Sequence, residues 1–212
     1  MLTTLLAFVL AAASEPQIGT CDPVDGPPIR WSAEQRDEAR DRARAACRAM
    51  RAPAITCAWL DAVGDRESAW RPSVRHVLGE HENGLGVFGL SKRWHRDKWP
   101  GDPEPAFCSP EASVLVALAI VRRAQILWGA RNLIEVNAVF GGRFRCMTDE
   151  GQRECFILRD PAKDRDICAR LELRGVDCRA PLPKRAGGRR VPVHERPEVA
   201  AELEARWTEP RS

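Results

Sequence analysis

The alternation of hydrophobic and polar positions divides this chain into helical stretches separated by glycine- and proline-rich breaks. In a charge-laced run from Ser32 to Met50, the residues Ala39, Ala43, Ala46, Cys47 and Met50 recur on one helical face. Ser32 stands as its N-cap, with Gln35 where a capping box needs a side-chain acceptor. The apolar run Ile55 to Val63 predicts a second helix that stops near Gly64 and leaves Glu67 at or just past its end. Ser109-Pro110-Glu111 opens a third. The serine caps it, proline loses no hydrogen bond at the first helical position, and the glutamate suits the positive end of the helix dipole. The residues that follow, Ala112 to Trp128, are apolar almost all round until Arg122 and Arg123, as a central buried helix should be. Leu133 to Phe140 predicts a short helix ended by Gly141-Gly142.

The segments between are equally informative. Residues 71 to 101 mix Pro, Gly, Asn and His with neither helical nor strand period, which predicts an irregular or short-hairpin region of the kind that carries functional loops. Residues 14 to 30, rich in Pro and Gly, predict an extended leader with Cys21 as a tether. After Arg143 the apolar clusters shorten, and Cys146, Cys155, Cys168 and Cys178 predict a small disulfide-stapled extension over residues 146–180. A basic linker and a terminal helix, Pro197 to Trp207, complete residues 181–212. The fold class expected is mainly α, with one helical domain at residues 31–145, since 212 residues at 44% hydrophobic composition suit one substantial core and a smaller appendage.

Composition adds a compartment. Met1 to Ala13 form an apolar run ending in Ala11-Ala12-Ala13 and broken by Ser14-Glu15-Pro16, which reads as an export signal cleaved near Ala13. It is too short to span a bilayer as a helix, and no later run is long enough, so no stable membrane span is expected. All eight cysteines lie beyond it, and an even count in an exported chain reads as a disulfide framework in a periplasmic or extracellular setting. The short loops Cys47 to Cys57 and Cys146 to Cys155 are the first candidates for pairing, although the count leaves the connectivity open. No cysteine pair has CxxC spacing and the four histidines are scattered, so neither a metal nor another cofactor is expected. With 33 basic and 30 acidic residues intermixed and a formal charge of +3, the chain shows no dedicated nucleic-acid surface. The basic segment around Lys184, Arg185, Arg189, Arg190 and Arg196 reads as a solvated tail, and the protein as a monomer.

Candidate chemistry concentrates between Glu67 and His95. An acid catalyst must hold its proton near neutral pH, which apolar surroundings favour. Ile55, Ala58, Trp59, Leu60, Ala62 and Val63 precede Glu67, and Ala69 and Trp70 follow it; the charged neighbours Asp65 and Arg66 act on it in opposite directions. Gly84, Gly86 and Gly89 then allow backbone to approach a ligand closely or to adopt positive φ. Neither GxxxxGK[ST] nor a GxGxxG in a strand–helix frame is present, which argues against a phosphate cradle. Trp70, Trp94 and Trp99 are candidates for stacking on sugar faces and equally for core packing.

Glu67-Ser68, Gly79-Glu80, Asn83-Gly84-Leu85-Gly86 and Lys92-Arg93-Trp94-His95 together resemble goose-type lysozyme. In that family the catalytic Glu-Ser leads to Gly-Asp, Asn-Gly-Phe-Gly-Leu-Met-Gln and Lys-Arg-Tyr-His. The related bacterial lytic transglycosylases share the Glu-Ser, a Gly-Leu-Met-Gln element and a later Tyr-Asn-Ala-Gly. The resemblance covers roughly residues 32 to 145 and implies a lysozyme-like α+β domain. It also implies cleavage of the β-1,4 bond between N-acetylmuramic acid and N-acetylglucosamine in peptidoglycan glycan strands. Carried over by position, it implies Glu67 as general acid and Glu80 at the place of the first loop aspartate, with Ser68, Gly84, Gly86, Phe88, Gly89, Leu90, His95 and Asn137 lining the substrate site.

The departures matter as much. Ser91 replaces the second loop aspartate, and Phe88-Gly89-Leu90 replaces the Met-Gln region. Asn137-Ala138 falls at the place of Tyr-Asn-Ala-Gly, with Val136 in the tyrosine slot of a chain that has no tyrosine. A hydrolase needs a second group to activate water, whereas a lytic transglycosylase lets the muramic acid 6-hydroxyl attack, one carboxylate serving first as acid and then as base. The expectation is therefore a lytic transglycosylase, with a goose-type-like lysozyme kept open by Glu80. A non-catalytic peptidoglycan-binding module on the same scaffold is the alternative, and a cysteine-rich secreted inhibitor or effector a third.

Overall fold

A computed structural model describes residues 19–78, 81–95, 102–149, 152–183 and 193–194, and over these the chain is mainly helical. The export signal expected at residues 1–13, Glu80, most of the basic linker and the terminal helix expected at 197–207 lie outside the described residues.

The first helix, α1 (Ala33–Ala49), starts as its caps dictate: Ser32 Oγ accepts the Gln35 N–H at 3.2 Å and Gln35 Oε1 accepts the Ser32 N–H at 3.0 Å. Its alanine face buries Ala39, Ala43 and Cys47, and the Cys47–Cys57 disulfide ties its end to the next helix, as the short loop suggests. That helix, α2 (Ala54–Glu67), runs through Gly64 for another turn rather than stopping there. The reason is packing. A Cβ at Gly64 would lie 2.6 Å from the indole of Trp70, so the glycine makes room for a buried ring. Trp70 is therefore a core residue and not a sugar platform, edge-on to Phe88 with ring centroids 6.1 Å apart.

An antiparallel hairpin of β1 (Arg75–Leu78) and β2 (His81–Leu85) fills the segment expected to be irregular or hairpin-like. Two short helices, α3 (Lys92–His95) and α4 (Glu104–Cys108), follow. Arg75 and Lys92 both donate to the Glu104 carboxylate and so hold α4 against β1 and α3. The leader docks on this region through the Cys21–Cys108 disulfide and through buried Asp22, whose Oδ1 accepts from Ser73 Oγ at 2.5 Å and from the Ile29 N–H at 2.9 Å.

The long helix α5 (Pro110–Leu127), capped by Ser109, buries Val114, Val116, Ala117, Ile120, Val121 and Ala124. It is less central than its composition suggests, because Leu115 and Leu127 are exposed. Next, α6 (Leu133–Phe140) is buried along nearly all its length and ends at Gly141 as expected.

The C-terminal part holds a hairpin of β3 (Phe144–Asp149) and β4 (Gln152–Leu158), then α7 (Pro161–Glu172), and a two-residue β5 (Val193–His194) parallel to β4. Helix α7 is absent from the sequence-based expectation, although Asp160-Pro161 is the same kind of start as Ser109-Pro110: Asp160 Oδ1 accepts the N–H groups of Ala162 and Lys163. The disulfide Cys168–Cys178 staples the end of α7. The strand register sets Cys146 opposite Cys155, whose side chains lie outside the description. Ile157, Ile167 and Leu171 are fully buried in the same core as Trp59, Phe107 and Leu133, so the extension shares the core of the helical part. No described helix is long and apolar enough to cross a membrane.

One charged node joins the first and second helices to the turn after the seventh. Asp61, 5% exposed, accepts from Arg40 at 3.1 Å, from Arg44 at 2.8 and 3.0 Å, and from Arg174 at 2.6 Å. Burial alone pushes this carboxyl up, but the hydrogen bonds of the three arginines outweigh it and hold it well below the ordinary carboxylate range. A depressed carboxyl contributes stability that is complete above its unfolded value and is lost as pH falls toward the folded one. Melting temperature should therefore hold from neutral pH to about 5 and fall progressively below about 4, where the unfolded chain takes up the proton. The substitution Asp61→Asn should cost about 3 kcal/mol at pH 7 and flatten that acid limb, because three arginines then face a neutral amide in place of a buried carboxylate. Calorimetry of both proteins between pH 7 and 3 checks this, and an Asp61→Asn curve parallel to wild type would refute the assignment.

Candidate active site

Glu67 is the last residue of α2, and the backbone beyond it is unusual: Ala69 and Trp70 both adopt positive φ, at 49° and 63°. Such values are uncommon without glycine and persist only where the surroundings impose them. Here Trp70 is held by burial of its ring and by Nε1 donating to Asp65 Oδ1 at 2.7 Å, so the chain turns sharply away and leaves Glu67 at an open helix end.

Against this end lies a tight turn of Gly86-Val87-Phe88-Gly89, closed where Leu85 and Leu90 exchange backbone hydrogen bonds at 3.0 and 2.9 Å. The glycines are needed for contact as well as conformation. A Cβ at Gly84 would overlap the carbonyl group of Gly89, and one at Gly86, whose φ is 69°, would overlap the Phe107 carbonyl oxygen. Gly89, at φ 60°, faces the acid: a Cβ there would sit 3.4 Å from Glu67 Oε2. Ser68 Oγ lies 3.1 Å from the Val87 carbonyl oxygen and 3.2 Å from that of Gly64, so its one proton pins the helix end to the turn. The Glu-Ser pair thus divides its work, the serine holding the loop and the glutamate facing it.

Burial sorts the residues that the resemblance assigns to substrate contact. Ser68, Phe88, Leu90 and Asn137 are at most 3% exposed, so their side chains sit behind the surface. Gly84 and Gly86 are buried likewise, as the close backbone packing requires. Glu67, with 31% of its side chain exposed, and Gly89 are the members of the set that reach the surface together. His95, half-buried at the end of α3 with its amide on the Ser91 carbonyl, is not among the residues these contacts gather. Glu80 lies outside the described residues, as do Trp99 and the side chain of Trp94.

The head group of Glu67 meets a charged partner in place of the apolar surrounding expected for it. Arg66 Nε and Nη2 both donate to Glu67 Oε1, at 2.8 and 2.6 Å. Arg66 Nη1 donates to Asn137 Oδ1 at 2.9 Å, which brings Asn137 to the acid through an intermediary. Asp65, expected to oppose Arg66, is instead engaged by Arg174 and Trp70. The sequence marks Arg66 as a charged neighbour of Glu67 but not as its direct hydrogen-bond partner, because adjacent side chains in a helix point apart and do not normally pair. Behind Asn137, Arg143 and Asp164 form a further buried pair 3.8 Å apart. Burial pushes the Arg143 guanidinium down and the Asp164 carboxyl up from their usual values. Among the described residues no three His, Cys, Asp or Glu side chains converge as a metal site.

No family model matches the chain, and neither does any curated protein or solved structure.

Close packing makes the turn sensitive to single methyl groups. Gly86→Ala should destabilise by about 3 kcal/mol, combining positive-φ strain with collision against a carbonyl that has no room to move. Gly89→Ala should cost only about 1 kcal/mol of backbone strain while placing its methyl against Oε2. Urea unfolding of both variants checks the order, and equal losses would contradict this packing.

Proposed function

We propose that this protein is an exported enzyme that cleaves the β-1,4 bond between N-acetylmuramic acid and N-acetylglucosamine in peptidoglycan, acting as a lytic transglycosylase with Glu67 as its acid and base. The observation that carries the proposal is the placement of Glu67 Oε2 against Gly89 of the glycine turn, since a side-chainless wall lets a bulky sugar approach the one oxygen that Arg66 leaves unoccupied. The lysozyme-like sequence pattern from Glu67 to His95 supports it independently of that geometry. Three disulfides among the described residues, and the absence there of any membrane-crossing helix, are compatible with an exported protein.

In the proposed reaction Glu67 gives its proton to the departing glycosidic oxygen as the bond to C1 of the muramic acid breaks through an oxocarbenium-like transition state. The resulting carboxylate takes the proton of the 6-hydroxyl of the same sugar, whose oxygen closes on C1 to form a 1,6-anhydro ring and regenerates the acid. No water is consumed. Ser91 in place of a second loop carboxylate supports this route over hydrolysis, because a hydroxyl is a poor base for water.

A second reading has its own observation. Arg66 pairs with the very carboxylate that would have to deliver a proton, which suits a scaffold that binds glycan without cutting it. Purified wild type should release soluble fragments from isolated peptidoglycan, with 1,6-anhydromuramic ends by mass spectrometry. The variant Glu67→Gln should lose at least about 100-fold in rate with its melting temperature unchanged. Reducing ends would assign hydrolysis instead, and retention on insoluble peptidoglycan with no loss of turbidity would establish the binding module.

A further inference from the structure

We infer that Arg66 and Asn137 form a positioning relay that fixes the Glu67 carboxylate, locking Oε1 so that Oε2 is the working oxygen. The inference rests on the proposed glycosidic chemistry and goes beyond it by assigning a role to two residues that do not meet the substrate.

Three features carry it. Residues 66 and 67 are adjacent in α2, where side chains diverge, so an arginine that turns to grip its neighbour with two N–H groups needs an outside hold. Asn137, on α6, supplies it: its Oδ1 accepts Arg66 Nη1 at 2.9 Å, and because a guanidinium only donates, that atom must be the amide oxygen. A flexible surface arginine thereby becomes a bracket, with 20% of its side chain exposed, between a fully buried amide and a half-buried carboxylate.

The second feature is the cost at which Asn137 is held. Its residue is 0% exposed, and its Nδ2 has no hydrogen-bond partner among the described residues. A buried unpaired donor is unfavourable, and an apolar side chain of like shape would serve a purely structural need better. What the amide contributes in return is the hold on Arg66.

The third is geometry at the carboxylate. With both arginine contacts on Oε1, only Oε2 faces Gly89, where the missing Cβ leaves space for a glycosidic oxygen. A glutamate at a helix end otherwise has several rotamers open to it, and catalysis loses rate steeply with misplacement of about an ångström.

The test uses the full-length protein, soluble glycan strands freed of peptide as substrate, and both kinetics and thermal unfolding. Arg66→Met should lower kcat by about 10- to 100-fold with KM changed less than about threefold, and Arg66→Lys should recover part of the loss by restoring charge without the fork. Asn137→Leu should lower kcat in the same direction while leaving Tm unchanged or raised, an effect that a structural role would reverse. The double variant should be no slower than Arg66→Met alone, because both changes break one relay. Wild-type kcat in Arg66→Met, in a background where Glu67→Gln is inactive, overturns the relay and leaves the proposed function standing. An increase in kcat also overturns it, by showing that the pair restrains the acid. A fall in Tm with unchanged kcat in Asn137→Leu removes Asn137 from the relay, and should Arg66→Met fail to fold, Arg66→Gln and Arg66→Lys carry the same comparison. Full activity in Glu67→Gln, or none in wild type, overturns the underlying chemistry and this role with it.

Discussion

Backbone lying against backbone at the end of α2 is the constraint on which the site depends. The turn from Gly86 to Gly89 approaches β2 and the Phe107 carbonyl more closely than any chain bearing Cβ atoms at 84 and 86 would permit, and Gly89 brings it against the Glu67 side chain. Ser68 pins that turn with a single hydroxyl proton, and the buried Trp70 and Phe88 rings anchor the two sides of the junction. Dense packing leaves little freedom for adjustment, so the position of Glu67 relative to Gly89 follows from how these few groups fit.

Charge is arranged around the same helix in two distinct ways. Toward the core side, Asp61 gathers Arg40, Arg44 and Arg174, while Asp65 takes up Arg174 and Trp70; this fastens α2 to α1 and to the turn after α7. At the helix end the polarity is reversed, with one arginine serving one glutamate and a buried amide behind it. Because Asp65 is engaged elsewhere, the first arrangement removes a competitor from the second.

Much of the helical framework was legible in the chain. Ser32 with Gln35, Ser109 with Pro110, and Gly141 after Phe140 set helix limits through local hydrogen bonds and backbone preference, which act over a few residues and need no partner elsewhere. The same local signal stands at Asp160-Pro161, where it opens α7 within the cysteine-rich part of the chain. At Gly64 local preference misled, because glycine answers two demands, and here close approach of the Trp70 ring outranked helix termination. The glutamate, the serine after it and the spaced glycines were likewise visible as a set, since their spacing is a property of the chain alone.

What the order of residues determined by itself is the set of Glu67, Ser68 and the spaced glycines, the backbone freedom of that loop, and the limits of α1, α5 and α6. Only the folded structure decided which of these residues reach the surface, for burial depends on everything packed around a side chain. It alone turned Arg66 toward Glu67 and away from its helical direction, because the atom that holds it, Asn137 Oδ1, arrives from a different helix. Contacts within a turn of chain are written locally; contacts between distant segments exist only once the core has brought them together.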